Sequence, residues 1–263
     1  MTNRLTKLFS LEGKTAVVTG GSRGIGEMIA EGFVDAGARV IMTARKAEAL
    51  HATADRLTEK GGDVVAIDGD LSTPEGIDTF TAAVKDQVDA LDILVNNAGA
   101  SWGATLGDYP VDGWDKVMNV NVRGVYYVTE GLVDLLRAAG TASDPARVIN
   151  IGSVDGLRAC EAEHYAYSTS KAAVHHLTRQ LARRLGGENV LVNAIAPGPF
   201  ESKMTAFMLE DPGAHDLVKA QVPTGRIGEP DDIAGTAIFL ASRAGAYITG
   251  STIAVGGGMA TAD

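Results

Sequence analysis

Short apolar runs alternate with longer stretches of helical spacing along this chain. Residues 15–19 (TAVVT), 39–43 (RVIMT), 63–67 (DVVAI), 92–95 (DILV), 147–151 (RVINI), 190–195 (VLVNAI) and 252–255 read as strands, because they are brief and rich in β-branched residues. Helical spacing fills 24–36, 47–60, a stretch opening near Pro74, 112–138, 164–185 and 231–241. The fixed φ of Pro74 suits a first helical turn. Strand and helix in strict alternation predict crossover units and a parallel sheet. The strands are near-continuous apolar runs, as expected where helices cover both faces. The expected fold is α/β, a doubly wound parallel sheet of about seven strands in one domain over residues 1–263, since no low-complexity linker or internal repeat divides it. Residues 199–223 break the alternation and carry Met204, Phe207, Met208 and Leu209. A long segment after a strand predicts a substrate lid.

Composition narrows the function. The chain has 263 residues, 23 basic and 33 acidic, for a formal charge of −10. No basic stripe offsets that balance, so a nucleic-acid partner is not expected. Cys160 is the only cysteine, which excludes an intrachain disulfide and a cysteine-rich zinc site. Residues 1–10 show no secretory pattern, and no run approaches the roughly 18 apolar residues of a membrane span. The expectation is a cytoplasmic protein without a membrane partner. Glycine is abundant, 32 against 8 prolines, and clusters at the ends of apolar runs, where tight turns form.

The first such cluster is Thr19-Gly20-Gly21-Ser22-Arg23-Gly24-Ile25-Gly26, between the first strand and the first long helix. Glycines there let a pyrophosphate approach backbone N–H groups at the positive end of the helix dipole. Glycine turns after strands are common, so the motif gains weight from its place after the first strand. About 20 residues on, where an acid would hold a ribose 2′-hydroxyl, the chain has Ala44 and Arg45. Arg23 and Arg45 suit a 2′-phosphate instead, which favours NADP(H) over NAD(H). Tyr167 and Lys171 are four apart and share a helical face. An ammonium beside a phenol favours the phenolate and predicts a lowered Tyr167 pKa, useful for proton transfer. Ser153 follows the fifth strand, at the sheet edge where such folds bind ligands. Asn96-Asn97-Ala98-Gly99 makes a sharp turn after the fourth strand, and Asn121 lies inside a helix, an unfavourable place for Asn that hints at a local role or a kink.

T-G-x-x-x-G-x-G, N-N-A-G, Asn121, Ser153, Y-x-x-x-K and Pro197-Gly198 occur in an order that resembles the short-chain dehydrogenase/reductase family, from about Leu11 to Met259. The resemblance implies a Rossmann-type fold and hydride transfer between nicotinamide and a ketone or secondary alcohol, without a metal. It implies that Tyr167 is the acid/base, that Lys171 tunes it and holds the nicotinamide ribose, that Ser153 orients the carbonyl and that Asn121 supports a water relay to Lys171. It places Gly20, Gly24 and Gly26 at the pyrophosphate and counts Ser22, Arg23 and Ile25 of the same turn among the cofactor-binding residues. Asp70 would approach the adenine, Asn97 the adenosine-side ribose region and Ser202 the nicotinamide carboxamide, with Leu71, Ala98, Gly99, Pro197 and Gly198 also cofactor-binding. It also implies a homotetramer built through the two long helices. Within the family the stretches around Trp102, Tyr109 and Trp114 and the loop 143–148 look most like the β-ketoacyl reductase branch, the members linked to rhamnolipid synthesis more than those of fatty-acid elongation.

Some residues depart from that pattern or invite blander readings. Ser202 keeps the hydroxyl of the family's Thr, and Gly256 stands where Asp is usual. Asp155 and Arg158 replace small apolar residues and make the cleft mouth more polar. His175 and His176 are adjacent and diverge on a helix, so no metal pair is expected there. His164 reads as a surface or capping residue, Glu161 and Glu163 as a solvated helix start, and Cys160 as a thiol without a base. The expected substrate is a small-molecule carbonyl or alcohol, with 3-oxoacyl thioesters included. A chain at −10 has little to offer an acidic carrier protein beyond Arg179, Arg183 and Arg184, so CoA-linked or smaller ketones rank first. Alternatives are an NAD(P)-dependent polyol, sugar-acid or steroid dehydrogenase and, in another class, a nucleotide-sensing regulator.

Overall fold

A computed structural model describes residues 3–160, 162–201 and 212–261. A short helix α1 (Arg4–Phe9) precedes β1 (Thr15–Thr19), α2 (Gly24–Asp35), β2 (Arg39–Ala44), α3 (Ala47–Glu59), β3 (Val64–Asp68), α4 (Pro74–Lys85) and β4 (Ile93–Asn96). The second half runs α5 (Val111–Met118), a π-helical turn (Asn119–Gly124), α6 (Val125–Ala139), β5 (Ala146–Ile151), α7 (Tyr165–Leu185), β6 (Val190–Pro197), α8 (Pro212–Ala220), α9 (Pro230–Ala241) and β7 (Thr252–Val255). All seven strands pair in parallel, in the order β3-β2-β1-β4-β5-β6-β7. The order reverses between β1 and β4, so the crevice beyond the carboxyl ends of those strands is the expected ligand site.

Helix starts follow local chemistry. Thr73 caps α4 by accepting from the Gly76 N–H at 3.1 Å, with Pro74 in the first turn. At α9 Glu229 and Asp232 form a reciprocal capping box, and Arg226 grips Asp232 through both guanidinium nitrogens at 2.6 and 2.9 Å. Each face of the sheet carries its own apolar core. Ile29, Phe33 and Ile233 close one side, and Phe80, Leu132 and Leu136 the other. Strands β4, β5 and β6 are buried throughout, whereas the edge strands β3 and β7 are only partly covered.

The strand expectations hold to within a residue or two at each end. The helices show three differences. The helix expected over 112–138 is α5 and α6 joined by the π-turn, and α1 and α8 carried no expectation. Residues 202–211 of the expected lid lie outside the described residues, with Ser202, Met204, Phe207, Met208 and Leu209 among them, as does Glu161. Among the described residues no helix is long and apolar enough to cross a membrane.

Candidate active site

The switch-point crevice is held together by side chains that bind backbone. Thr19 Oγ1, at the end of β1, accepts from the N–H groups of Asn97 and Ala98 at 2.9 and 3.0 Å and donates to Val95 O at 3.2 Å. Asn97 Nδ2 donates to Thr19 O and Gly20 O at 2.9 and 3.1 Å. The Asn97 Nδ2 donors are therefore spent on locking the glycine turn to β4. Thr19 is a positioning residue the sequence reading passed over, although it opens the glycine motif. Gly20 and Gly24 adopt positive φ, and a Cβ on Gly26 would overlap Gly20 O and Asn97 Nδ2. That packing brings the first turn of α2 against the loop.

No side chain caps α2 at Arg23, unlike α4 or α9. Its first N–H groups, the positive end of the helix dipole, are thus left for an anion, the chemistry of a dinucleotide pyrophosphate. Arg23 and Arg45 are exposed, and among the described residues neither is in a salt bridge. Asp70 accepts from the Ser72 N–H at 3.0 Å. Burial raises its pKa, but the Ser72 hydrogen bonds and the Arg45 charge outweigh that and hold it low. Leu71 beside it is buried. These features fit NADP(H).

The opposite wall comes from β5, the π-turn and α7. Within the π-turn Asn121 is almost fully buried. Its Oδ1 accepts from Ala100 N–H at 2.8 Å, and its Nδ2 donates to Ala100 O and Ser170 Oγ, both at 2.9 Å. This answers the oddity of Asn inside a helix. The backbone bulges so that one amide can satisfy the strand-four loop and α7 together. Ser170 in turn donates to Tyr167 O at 2.7 Å. Lys171 is buried and donates from Nζ to Ile151 O at 2.8 Å. Gly99 lies between Asn121 Oδ1 and Lys171 Nζ. Ser153 is buried in extended backbone, and its Oγ accepts from Asp155 N–H at 3.1 Å. A buried polar ladder, Thr129–Asn96–Asn150–Thr178, ties β4 and β5 to α6 and α7 through contacts of 2.9 Å. Pro197 ends β6, and Gly198 N–H donates to Val255 O at 2.9 Å.

Tyr167 and Lys171 do share a face, with Nζ 5.5 Å from the ring centroid. The electrostatics differ from the expected lowering. Burial pushes the Tyr167 phenol up to about 12; hydrogen bonding with Ser153 opposes this, and the charges of Asp155 and Cys160 add to it. Burial alone pushes Lys171 down to about 8. Desolvation of the phenol dominates, and the Lys171 ammonium does not offset it. At neutral pH the phenol keeps its proton and serves as a donor.

Two readings of surrounding residues change, and a third holds. His164 is no simple surface residue: its ring meets Tyr167 edge-on at 5.3 Å between centroids, and its Nε2 lies 3.3 Å from Asp155 and 3.1 Å from Cys160 Sγ. Cys160 therefore has an imidazole beside it. His175 and His176 do diverge, one buried under Gly152 and Gly156, the other exposed beside Arg179 and Gln180.

A family model described as Enoyl-(Acyl carrier protein) reductase matches residues 20–260. The chain is 52% identical over 250 residues to the Rhamnolipids biosynthesis 3-oxoacyl-[acyl-carrier-protein] reductase of Pseudomonas aeruginosa, spanning 95% of this chain and 97% of that one. It superposes on the Pseudomonas aeruginosa RhlG/NADP active-site complex with a TM-score of 0.94 and 52% identity, over 97% and 99% of the two chains. A gluconate 5-dehydrogenase from Burkholderia cenocepacia in complex with NADP and tartrate follows at a TM-score of 0.91 and 31% identity, over 99% and 100%.

Proposed function

The chain belongs to the short-chain dehydrogenase/reductase family, and on that footing we propose that it is an NADP(H)-dependent reductase of ketones, with 3-oxoacyl thioesters as the substrate class. The observation that supports the reading is the contact of Tyr167 with Lys171 and Ser153, with Asn121 linked to Tyr167 through Ser170. The 52% identity to a 3-oxoacyl reductase supports the substrate class.

The cofactor supplies a hydride to the carbonyl carbon. The chain supplies the rest. Ser153 Oγ donates a hydrogen bond to the carbonyl oxygen and fixes its direction. Tyr167, protonated because burial holds its pKa near 12, delivers a proton from Oη to that oxygen as charge develops there. Lys171, with one N–H on Ile151 O, keeps others for the ribose and the phenolate left behind. Asn121 holds the π-turn and Ser170, and through Ser170 the backbone of Tyr167. Gly20, Ser22, Gly24, Ile25 and Gly26 form the anion cradle, with Asn97, Ala98, Gly99, Asp70 and Leu71 along the adenosine side. Ser202, beyond Pro197 and Gly198, completes the set by resemblance.

Two expected outcomes follow. Arg45→Asp places an acid where a ribose 2′-hydroxyl would seek one and removes a cation from the 2′-phosphate. The ratio of kcat/KM for NADPH over NADH should fall by more than about tenfold, since a charge-assisted hydrogen bond contributes roughly 1.5–3 kcal/mol. Steady-state kinetics with both cofactors measure it, and an unchanged ratio would remove Arg45 from the account. The second outcome concerns pH. With the phenol near 12, ketone reduction needs the proton that Tyr167 already carries, so its kcat/KM stays level as pH rises through neutrality. Alcohol oxidation needs the phenolate, so its kcat/KM climbs about tenfold per pH unit. Above about 8 Lys171 loses its charge and the climb flattens. Profiles in both directions check this.

The described ends of residues 199–223 support the lid: Val222 packs with Val154, next to Ser153, and with Met259. We read α6 and α7 as the homotetramer faces, supported by exposed Tyr126 and Tyr127, and sedimentation measures the state. Cys160 is free, which fits a reducing compartment such as the cytoplasm. The test of substrate class is a matched panel of free, CoA-linked and carrier-protein-linked 3-oxoacyl esters and sugar-acid ketones with NADPH. The ordering expected from a chain at −10 is CoA esters above carrier-protein esters. A preference for sugar acids would overturn the thioester class.

A further inference from the structure

Asp155, Cys160 and His164 come from three separate pieces of backbone: the turn after β5, the loop beyond it, and the residue that caps α7. The fold gathers one carboxylate oxygen, one thiol sulfur and one imidazole nitrogen, all within 4.8 Å of one another and all half-buried. Cys160 Sγ is 3.1 Å from His164 Nε2, and that same nitrogen is 3.3 Å from Asp155 Oδ2. A thiol, which also reaches Ala162 O at 3.8 Å, and a carboxylate thus converge on one ring nitrogen, which carries at most one proton. As an acceptor for the thiol, Nε2 faces the carboxylate lone pairs without a hydrogen between them. As a donor it must divide one hydrogen between sulfur and oxygen. A cation at the centre satisfies all three at once.

We propose that Asp155, Cys160 and His164 form a binding site for a thiophilic divalent transition ion, zinc first, at the mouth of the catalytic crevice. The donor set is what zinc takes: thiolate, imidazole and carboxylate at about 2.0–2.3 Å. Ligands at those lengths around a tetrahedral ion stand roughly 3.3–3.8 Å apart, close to the two separations seen here. Three protein ligands leave a fourth position for water. Binding converts the Cys160 thiol to thiolate and releases one proton to solvent, with His164 neutral and Asp155 ionised. The imidazole is already fixed by its edge contact with the Tyr167 ring, and Ser168 Oγ lies 3.6 Å from the sulfur.

The test uses the full chain, stripped with chelator and titrated with zinc alone, then with cobalt. The expected result is one zinc retained per chain, and a cobalt derivative showing thiolate-to-metal charge-transfer absorption with tetrahedral d–d bands. Cys160→Ser should abolish the charge-transfer band. His164→Ala and Asp155→Asn should each weaken zinc binding by about tenfold or more, given that even outer-shell partners contribute 10–100-fold. His51→Ala, at the exposed His51–Asp68 pair, should bind as the parent does. Thermal unfolding and NADPH binding verify that each variant is folded. Zinc that stays well below one per folded chain, or Cys160→Ser and His164→Ala variants that bind like the parent, would overturn the proposal.

Discussion

Tyr167→Phe is expected to lower kcat for ketone reduction by about 10²–10⁴-fold, the range that a positioned acid contributes, or about 2.7–5.5 kcal/mol of barrier. The substitution removes one oxygen from a half-buried ring and leaves the ring's contact with His164 intact. At neutral pH the phenol is uncharged whether the chain is folded or not, so its raised pKa adds nothing to stability there, and the loss is limited to the hydrogen bond with Ser153. Binding of NADPH, measured by nicotinamide fluorescence, should change little. A loss in kcat with unchanged cofactor affinity and unfolding temperature places the effect on proton delivery. Retention of near-parental turnover would mean that water or another group donates, and the role given to Tyr167 would be wrong.

Gly26→Ala is the second large effect, and it acts through packing. A Cβ there overlaps Gly20 O on one side and Asn97 Nδ2 on the other. Neither neighbour is a free chain end: Gly20 O belongs to the turn itself, and Asn97 Nδ2 is held by Thr19 O and Gly20 O. The turn must open or the amide must leave its partners. Overpacking of this kind typically costs 1–3 kcal/mol. The unfolding temperature should fall, and NADPH affinity should drop by more than about tenfold, because α2 no longer sits against the loop. Gly235→Ala in α9 is the control. Its Cβ would meet nothing within 4 Å, so helix propensity predicts equal or slightly higher stability. A Gly26→Ala variant that binds NADPH like the parent would show that the cradle does not depend on this contact.

Much of this was legible in the chain because it is written in local patterns. Apolar runs and glycine turns mark β1 to β7, and Pro74 marks the start of α4. Tyr167 and Lys171 declare their shared face by a spacing of four. The π-turn was visible only as an oddity, an Asn inside a helix, since its cause is a contact with Ala100 and Ser170 that are distant in sequence. The same is true of Thr19, whose hydroxyl serves residues 97 and 98. The direction of the Tyr167 shift was missed for a different reason. Spacing reports the neighbouring charge, whereas burial of both partners, which dominates, depends on the whole fold. The gathering of Asp155, Cys160 and His164 was likewise unreadable, because irregular loop geometry decides it.

The account rests on direct hydride delivery to a carbonyl carbon with the proton going separately to oxygen. NADPH carrying deuterium on the transferred face of C4, mixed with the parent protein and a 3-oxoacyl thioester, tests this in one turnover by mass spectrometry of the product. The account predicts a 3-hydroxyacyl product with one deuterium on the carbinol carbon, and none on that carbon when the label is supplied only by heavy water. Tight NADPH binding with no labelled alcohol from any ketone in the panel would contradict it and leave a nucleotide-sensing protein.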